Sequence, residues 1–176
     1  MKLLRYSTML FVFELFMTDL FLGQWVPQNS NTQASLNDVI MLDQQTGIAV
    51  GDSGKILKTL DAGQNWIEEF SAANVRWNAL AFANAMKGAV VGDSCKIAFT
   101  FDGGENWTFI DSSSTTHLTA ADYMGETTLY VGDNSGSVFY TNNDGITWSL
   151  ISFGNEPVMD IFFTESAYID YSGHVI

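Results

Sequence analysis

Three aspartates end the same tripeptide at almost constant spacing, and they are the residues whose chemistry a repeating fold could bring together. The tripeptide Val-Gly-Asp ends at Asp52, Asp93 and Asp133. Carboxylates at the same end of successive repeats could together bind a cation such as calcium, which prefers oxygen ligands. A carboxylate that follows a strand can instead accept hydrogen bonds from the backbone of its own turn, and we favour this local role. No metal site is therefore predicted.

One thiol and two imidazoles are the other groups with reactive chemistry. Cys95 is the single cysteine of the sequence and precedes Lys96, so a reactive thiol is one interpretation. Because Cys95 stands where other repeats have glycine, as at Gly54, we interpret it as a substitution in a tight turn. His117 and His174 have no histidine or cysteine at metal-ligand spacing, so we expect them on the surface or in turns.

A corner motif of eight residues occurs three times and sets the organisation of the chain. Its copies are Thr59 to Trp66, Thr100 to Trp107 and Thr141 to Trp148. Counted from Trp25, the tryptophans fall at positions 25, 66, 107 and 148, so each interval is 41 residues. A repeat of this length indicates an array of similar units, most often a propeller.

The residue types of the corner motif predict a turn that stabilises itself. Asp61 can accept hydrogen bonds from the backbone N–H groups that follow it, and Gly63 permits a conformation that a side chain would oppose. The third copy has Asn143 in place of the aspartate, which keeps the acceptor and drops the charge. This substitution favours a structural role over a catalytic one.

Each repeat reads as four short strands, so the fold class is predicted to be all-β, a β-propeller of four-stranded antiparallel blades. The predicted blades span residues 36–71, 77–112 and 118–153, with a partial blade at 158–176. Trp77 replaces the leucine that begins the other first strands; an exposed indole could stack on a sugar, but a core tryptophan needs no such role. The arc is incomplete at about three and a half blades, and we expect a fragment whose open blade faces could self-associate.

The first residues predict export. Residues 1–24 combine Lys2 and Arg5 with a largely apolar run, which is typical of a signal peptide. The run is too short and too charged to span a bilayer. Residues 25–29 match an outer strand of a blade whose other strands are missing. A secreted or periplasmic location is therefore expected.

Composition excludes several partners. The formal charge is −13 with only seven lysines and arginines, whereas nucleic-acid backbones and anionic membranes require clustered basic residues. A hydrophobic content of 47% fits one globular domain. No cofactor is predicted, and the expected partner is an unidentified protein.

The corner pattern Ser/Thr-x-Asp-x-Gly-x-Thr-Trp resembles the Asp-box of sialidase-type propellers. The longer unit from Leu36 to Trp66 is more similar to the photosystem II stability and assembly factor family, whose members are seven-bladed propellers, and this resemblance covers nearly all of residues 25–176. It implies a protein-binding role, through an arginine-rich patch in the family's assembly factors. Arg76 is the only arginine after residue 24.

The resemblance leaves three functions to compare. We favour a non-catalytic secreted or periplasmic propeller module that binds protein or is structural, since similar repeats occur in secreted proteins. The first alternative is a photosystem II assembly factor. The remote alternative is an Asp-box glycoside hydrolase, which would need a pair of carboxylates flanking a cleft; a sialidase would also need three arginines around the substrate carboxylate. No catalytic residue is predicted.

Overall fold

The computed structural model describes residues 27–71, 74–110, 115–152 and 154–164. They form three four-stranded antiparallel sheets that do not close into a ring, in agreement with the predicted incomplete propeller. The predicted signal peptide, Trp25 and His174 lie outside the described residues. Residues 27–29, which belong to the predicted outer strand, are not in a strand.

Each sheet consists of consecutive strands paired in chain order. In the first sheet the strands are β1 (Leu36–Met41), β2 (Gly47–Gly51), β3 (Ile56–Thr59) and β4 (Ile67–Phe70). In the second they are β5 (Trp77–Phe82), β6 (Gly88–Gly92), β7 (Ile97–Thr100) and β8 (Thr108–Ile110). In the third they are β9 (Leu118–Met124), β10 (Thr128–Asp133), β11 (Ser137–Thr141) and β12 (Ser149–Ser152).

The sheets pack face to face, which explains strands that are apolar on both faces. Every residue of β2 and of β6 is buried. One core lies between the first and second sheets around Ile48, Trp77 and Val90. A second core lies between the second and third sheets around Val91, Phe99 and Leu118. Burial of this apolar surface is the main stabilising contribution to such a stack.

The backbone register repeats every 41 residues through the third sheet. Val91 pairs with Ile97 in the second sheet, and Gly132 pairs with Val138 in the third. The tripeptide Val-Gly-Asp therefore occurs one position earlier in the third sheet than in the first two. Asp133 occupies the place of Gly92, and Asn134 occupies the place of Asp93. The strands and turns of this repeat keep their spacing, and only the sequence pattern moves.

Residues 158–164 lie beside β9 without forming a strand. The hydroxyl of Thr119 donates a hydrogen bond of 2.6 Å to the carbonyl of Val158. Asn37 and Asn78 make the equivalent bonds to the carbonyls of Trp77 and Leu118, each the first residue of the next sheet. Val158 thus stands where a fourth sheet would begin. The described part of the predicted partial blade contains no strand, and residues 165–176 lie outside the described residues.

Candidate functional site

The corner motif is organised around the hydroxyl of its threonine. Thr100 is fully buried, and its hydroxyl accepts a hydrogen bond of 2.8 Å from the N–H of Gly104. The same hydroxyl donates a bond of 2.8 Å to the Asp102 carboxylate. Thr59 and Thr141 make the same pair of bonds in the other two corners. The sequence pattern suggested the aspartate as the centre of the turn, whereas the threonine links both halves.

The corner aspartate caps the turn as predicted. Asp102 accepts hydrogen bonds from the backbone N–H of Asn106 at 2.9 Å and from its side-chain amide at 2.8 Å. The backbone bond, followed by the side-chain bond, lowers the pKa of Asp102 to about 2. The same two groups of Asn65, with the side chain now contributing more, lower the pKa of Asp61. These carboxylates are occupied within their own turns.

Asn143 shows how the third corner works without a charge. Its side-chain oxygen accepts the backbone N–H of Thr147 at 2.9 Å. Its side-chain amide donates to the Thr147 hydroxyl at 2.8 Å, so donor and acceptor have exchanged places relative to Asp102 and Asn106. The exchange of aspartate for asparagine is thus matched by an exchange of asparagine for threonine four residues later. The corner requires complementary hydrogen bonds and not a negative charge.

The glycine at the fifth position of the second and third corners fixes the distance to the preceding sheet. Gly104 has φ of +89°, and a Cβ placed on it would lie 2.8 Å from Cδ1 of Ile48 in the first sheet. Gly145 has φ of +83°, and its Cβ would lie 2.5 Å from Cδ1 of Ile110. Both the backbone conformation and the close approach therefore require glycine. The corners are rigid supports for the side chains around them.

The three aspartates of the Val-Gly-Asp tripeptides do not form a ring. Asp133 is only 2% exposed, and one of its oxygens accepts the N–H groups of Ser135 and Ser137 within its own turn. Asp52 and Asp93 are partly exposed and lie in other surroundings. In the part of the chain that the structure describes, no group of three or more acidic, histidine or cysteine side chains could hold a metal ion. The local role holds for Asp133.

Asp52 and Asp93 instead join neighbouring sheets through basic residues. The guanidinium of Arg76, in the linker to the second sheet, lies 3.1 Å from Asp52. His117 occupies the equivalent place 41 residues later, and its Nδ1 lies 2.9 Å from Asp93. The side-chain amide of Asn78 also donates to Asp93 at 2.8 Å. This arrangement was missed in the sequence, although the matching positions of Arg76 and His117 carry the signal for it.

The hydrogen bonds around Asp93 change its acidity. Burial alone would raise the pKa of the Asp93 carboxyl, but the bonds from Asn78 and His117, with the charges of His117 and Arg76, lower it below its usual value. His117 is thus a linker residue bonded to the preceding sheet. Its predicted location in a turn or on the surface agrees with its half-exposed side chain. A metal-binding role finds no support in these contacts.

Cys95 lines an apolar cleft between the second and third sheets. The cleft has a volume of about 250 Å³. It is lined by Cys95, Ile97, Ile110, Thr116, Leu118, Val131, Phe139 and Trp148. Cys95 lies in the tight turn that was predicted for it, with φ of +54°. Trp77, by contrast, is completely buried between the first and second sheets, so it is a core residue and not an exposed stacking platform.

Several exposed apolar side chains lie at one end of the three sheets. This end, which we call the corner end, carries the three corner motifs and the hairpin turns that join the first two strands of each sheet. Six large apolar residues at or beside these turns are exposed: Met41, Leu60, Met86, Phe101, Met124 and Ile146. Ile146 is 82% exposed on the tip of the third corner. Lys87 lies beside Phe101, with its Nζ 6.0 Å from the ring centroid and 2.6 Å from Asp144.

The stacked four-stranded sheets and their self-capped corners define the chain as a repeat protein of the β-propeller class. A family model described as photosynthesis system II assembly factor YCF48 matches residues 18–151. The chain therefore belongs to the YCF48 family. A comparison with curated proteins found no match.

Solved structures agree with the fold and with the family. A structure titled "YCF48 bound to D1 peptide" has 23% identity and a TM-score of 0.63, over 71% of this chain and 42% of that one. YCF48 from Cyanidioschyzon merolae has 25% identity and a TM-score of 0.60, over 68% of this chain and 40% of that one. An ancestral GH74 enzyme has 16% identity and a TM-score of 0.59, over 76% of this chain and 20% of that one, and this likeness concerns the fold alone. The chain spans about two fifths of the length of the two YCF48 structures.

Among the described residues, no helix has the length and apolar character that crossing a membrane would require.

Proposed function

We propose that this chain is a non-catalytic protein-binding module that contacts a polypeptide partner through its corner end. The observation that carries the proposal is the set of six exposed apolar side chains at or beside the turns of this end. Three of them, Leu60, Phe101 and Ile146, lie on corners that are held by their own hydrogen bonds. Exposed apolar side chains on a rigid frame are typical of protein-binding surfaces, because binding then costs little conformational entropy. The corner carboxylates are engaged within their turns, which leaves the apolar side chains as the principal contacts.

The overall charge suggests what the partner carries. The chain has 20 acidic residues against seven basic ones. Complementary charge speeds association and selects among partners. We therefore propose a partner segment that combines apolar residues with lysine or arginine.

Capture from a native extract tests the proposal. The bait is the chain itself, and the test variant is Leu60→Ser with Phe101→Ser and Ile146→Ser. The matched control is Val39→Ser, which removes an exposed apolar side chain of β1 away from the corner end. We expect a specific protein to be captured by the parent and the control and lost with the triple variant. Equal capture by all three would contradict a corner-end contact.

The family membership gives a particular candidate for this partner. We propose a photosystem II subunit as the client, since the family is described by that assembly role and one similar structure is titled as a complex with D1 peptide. Titration of a D1 peptide against the chain by calorimetry tests this assignment. Binding that weakens in the triple variant supports this assignment. No heat of binding, together with capture of an unrelated protein, would contradict the photosystem II client but would leave the proposed protein-binding function standing.

We also propose that the protein is exported to the periplasm or secreted. The proposal rests on the basic and apolar residues between Lys2 and Leu22. Cell fractionation of the full chain tests it, with terminal sequencing of the recovered protein to detect cleavage. Recovery of the uncleaved chain in the cytoplasm alone would contradict export.

A further inference from the structure

The two cores between sheets are built on the same backbone but filled differently. In the first core Trp77 is fully buried, its ring centroid lies 6.1 Å from that of Phe109, and Phe70 lies 4.6 Å from Phe109. The strand pairings identify the matching positions in the second core as Leu118, Ile110 and Leu150. Three aromatic rings are thus replaced by three aliphatic side chains.

The exchange accounts for the cleft between the second and third sheets. Phe139 stands at the position that matches Ala98 and adds one aromatic ring to the second core. The second core therefore has two aromatic rings fewer at these positions than the first core. The remaining space measures about 250 Å³ and is lined almost entirely by apolar side chains. Leu150, which pairs with Phe139, is 62% exposed, against 41% for Phe109 at the matching position of the second sheet. Apolar cavities of about 150 Å³ bind small aromatic molecules, so this space is sufficient for an indole or phenyl ring.

We propose that this cleft, the ring pocket, binds an aromatic side chain of a polypeptide partner. The choice of occupant follows from the molecule itself, because the indole of Trp77 fills the matching space one repeat earlier. The lining of the ring pocket includes Cys95 and Thr116, which lie at the end of the sheets opposite the corner end. The proposal rests on the protein-binding function and adds a second contact to it.

The single cysteine allows the pocket to be tested without a known partner. Cys95 lines the ring pocket, so a bound ring restricts access to its thiol. The probes are indole and N-acetyltryptophanamide, and the readout is the rate of Cys95 alkylation by iodoacetamide. We expect both probes to slow alkylation of Cys95 in a saturable manner. Cyclohexanol, an aliphatic probe of similar size, should slow alkylation less.

Leu118→Trp is the decisive variant, because it supplies the side chain that Trp77 supplies to the first core. We expect saturable protection to be lost in Leu118→Trp and retained in Thr127→Trp, which adds the same ring in the exposed turn that follows β9. Ile110→Phe, which copies Phe70 of the first core, narrows the pocket by a second route and should weaken protection if Leu118→Trp fails to fold. Absence of saturable protection in the parent, or equal protection in both tryptophan variants, would overturn the proposal.

The test is separable from that of the corner-end function. The triple variant at Leu60, Phe101 and Ile146 should lose partner capture but keep the protection of Cys95 by indole. Loss of protection in the parent with intact partner capture refutes the ring pocket alone. Intact protection with no partner capture refutes the corner-end function alone and identifies the pocket as a site for a small aromatic molecule.

Discussion

The hydroxyl of Thr100 bonds two polar groups of one turn, the buried N–H of Gly104 and the partly buried carboxylate of Asp102. It accepts from Gly104 N–H and donates to Asp102, so replacement by an apolar side chain of the same shape leaves both without that partner. The corner Asp has other donors, whereas the Gly104 N–H does not have another hydrogen bond among those described for the corner. The threonine is therefore the more sensitive of the two residues.

We predict that Thr100→Val lowers the free energy of unfolding by about 1–3 kcal/mol, the usual cost of a buried group that loses its partner. Thr100→Ser keeps the hydroxyl and should cost less than Thr100→Val. Urea unfolding followed by tryptophan fluorescence measures both. A loss for Thr100→Ser as large as that for Thr100→Val would contradict the dominant role of the hydroxyl, because serine keeps the hydroxyl and lacks only the methyl group.

Asp93 gives a prediction about pH. Its folded pKa lies below the usual value of 3.8, so its contribution to stability is present above that value and is lost as pH falls through the folded pKa. We expect Asp93→Asn to be less stable than the parent near neutral pH, and the difference to shrink below about pH 3.8.

Urea unfolding at a series of pH values measures this difference. Asp160→Asn, at an exposed carboxylate in the segment beside β9, serves as the control for the loss of one charge. A difference between parent and Asp93→Asn that stays constant from neutral to acidic pH would contradict the bonds to Asn78 and His117.

At the scale of the element, the corner positions one sheet against the previous one. We predict that Gly104→Ala is destabilising for two reasons, the positive φ and the 2.8 Å approach to Ile48. Gly125→Ala is the matched control, because Gly125 has φ of +63° but no atom within 4 Å of the position that a Cβ would take. We expect a loss of about 1 kcal/mol for the control, from the backbone alone, and a larger loss for Gly104→Ala. Thermal melting that gives the same shift for both would mean that Ile48 moves aside at no cost.

The elements were more predictable than their contacts, for a physical reason. Turn residues such as Gly63 and Asn143 mark where strands end, and the 41-residue spacing repeats them, so the three sheets follow from the sequence. The structural position of Asp133 could not be predicted from the sequence, because the tripeptide Val-Gly-Asp is shifted by one residue in the third repeat while the backbone register is unchanged. Hydrogen bonding between neighbouring strands fixes that register, and the order of residue types does not show which residues are paired.

The candidate sites were less predictable because they arise between repeats. The bonds from Arg76 to Asp52 and from His117 to Asp93 join residues of different sheets. The ring pocket results from a difference between two cores, in which Leu118 stands for Trp77. To predict these contacts and this pocket, one must know which residues of neighbouring sheets face each other. The sequence repeat shows which positions are equivalent but not which residues are in contact.

At the scale of the whole molecule, no other sheet of the described residues packs on the outward face of the first sheet. This open face carries exposed Val39 and Met41 beside a depression of about 490 Å³. We propose that a second copy packs there weakly, because the formal charge of −13 on each chain opposes association at low salt. Raising sodium chloride from about 0.01 M to about 1 M shortens the screening length about tenfold and should strengthen pairing.

Sedimentation velocity at several salt concentrations measures this association. Val39→Lys places a charge on the open face and should remain monomeric at every salt concentration. Leu60→Lys, a control at the corner end, should associate as the parent does. Pairing that is unaffected by Val39→Lys would assign the contact to another surface.

The side-chain bonds that tie each sheet to the next have a consequence for how the chain acquires its structure. Asn37 reaches Trp77, Asn78 reaches Leu118 and Thr119 reaches Val158, separations of 40, 40 and 39 residues. Asp38 and Asp122 add bonds to the N–H groups of Leu80 and Phe163 across 42 and 41 residues. Each of these five ties between described residues spans one repeat, so a sheet can be completed as soon as the start of the next one has been synthesised. The molecule can be assembled in the direction of translation, each blade serving as the template for its successor.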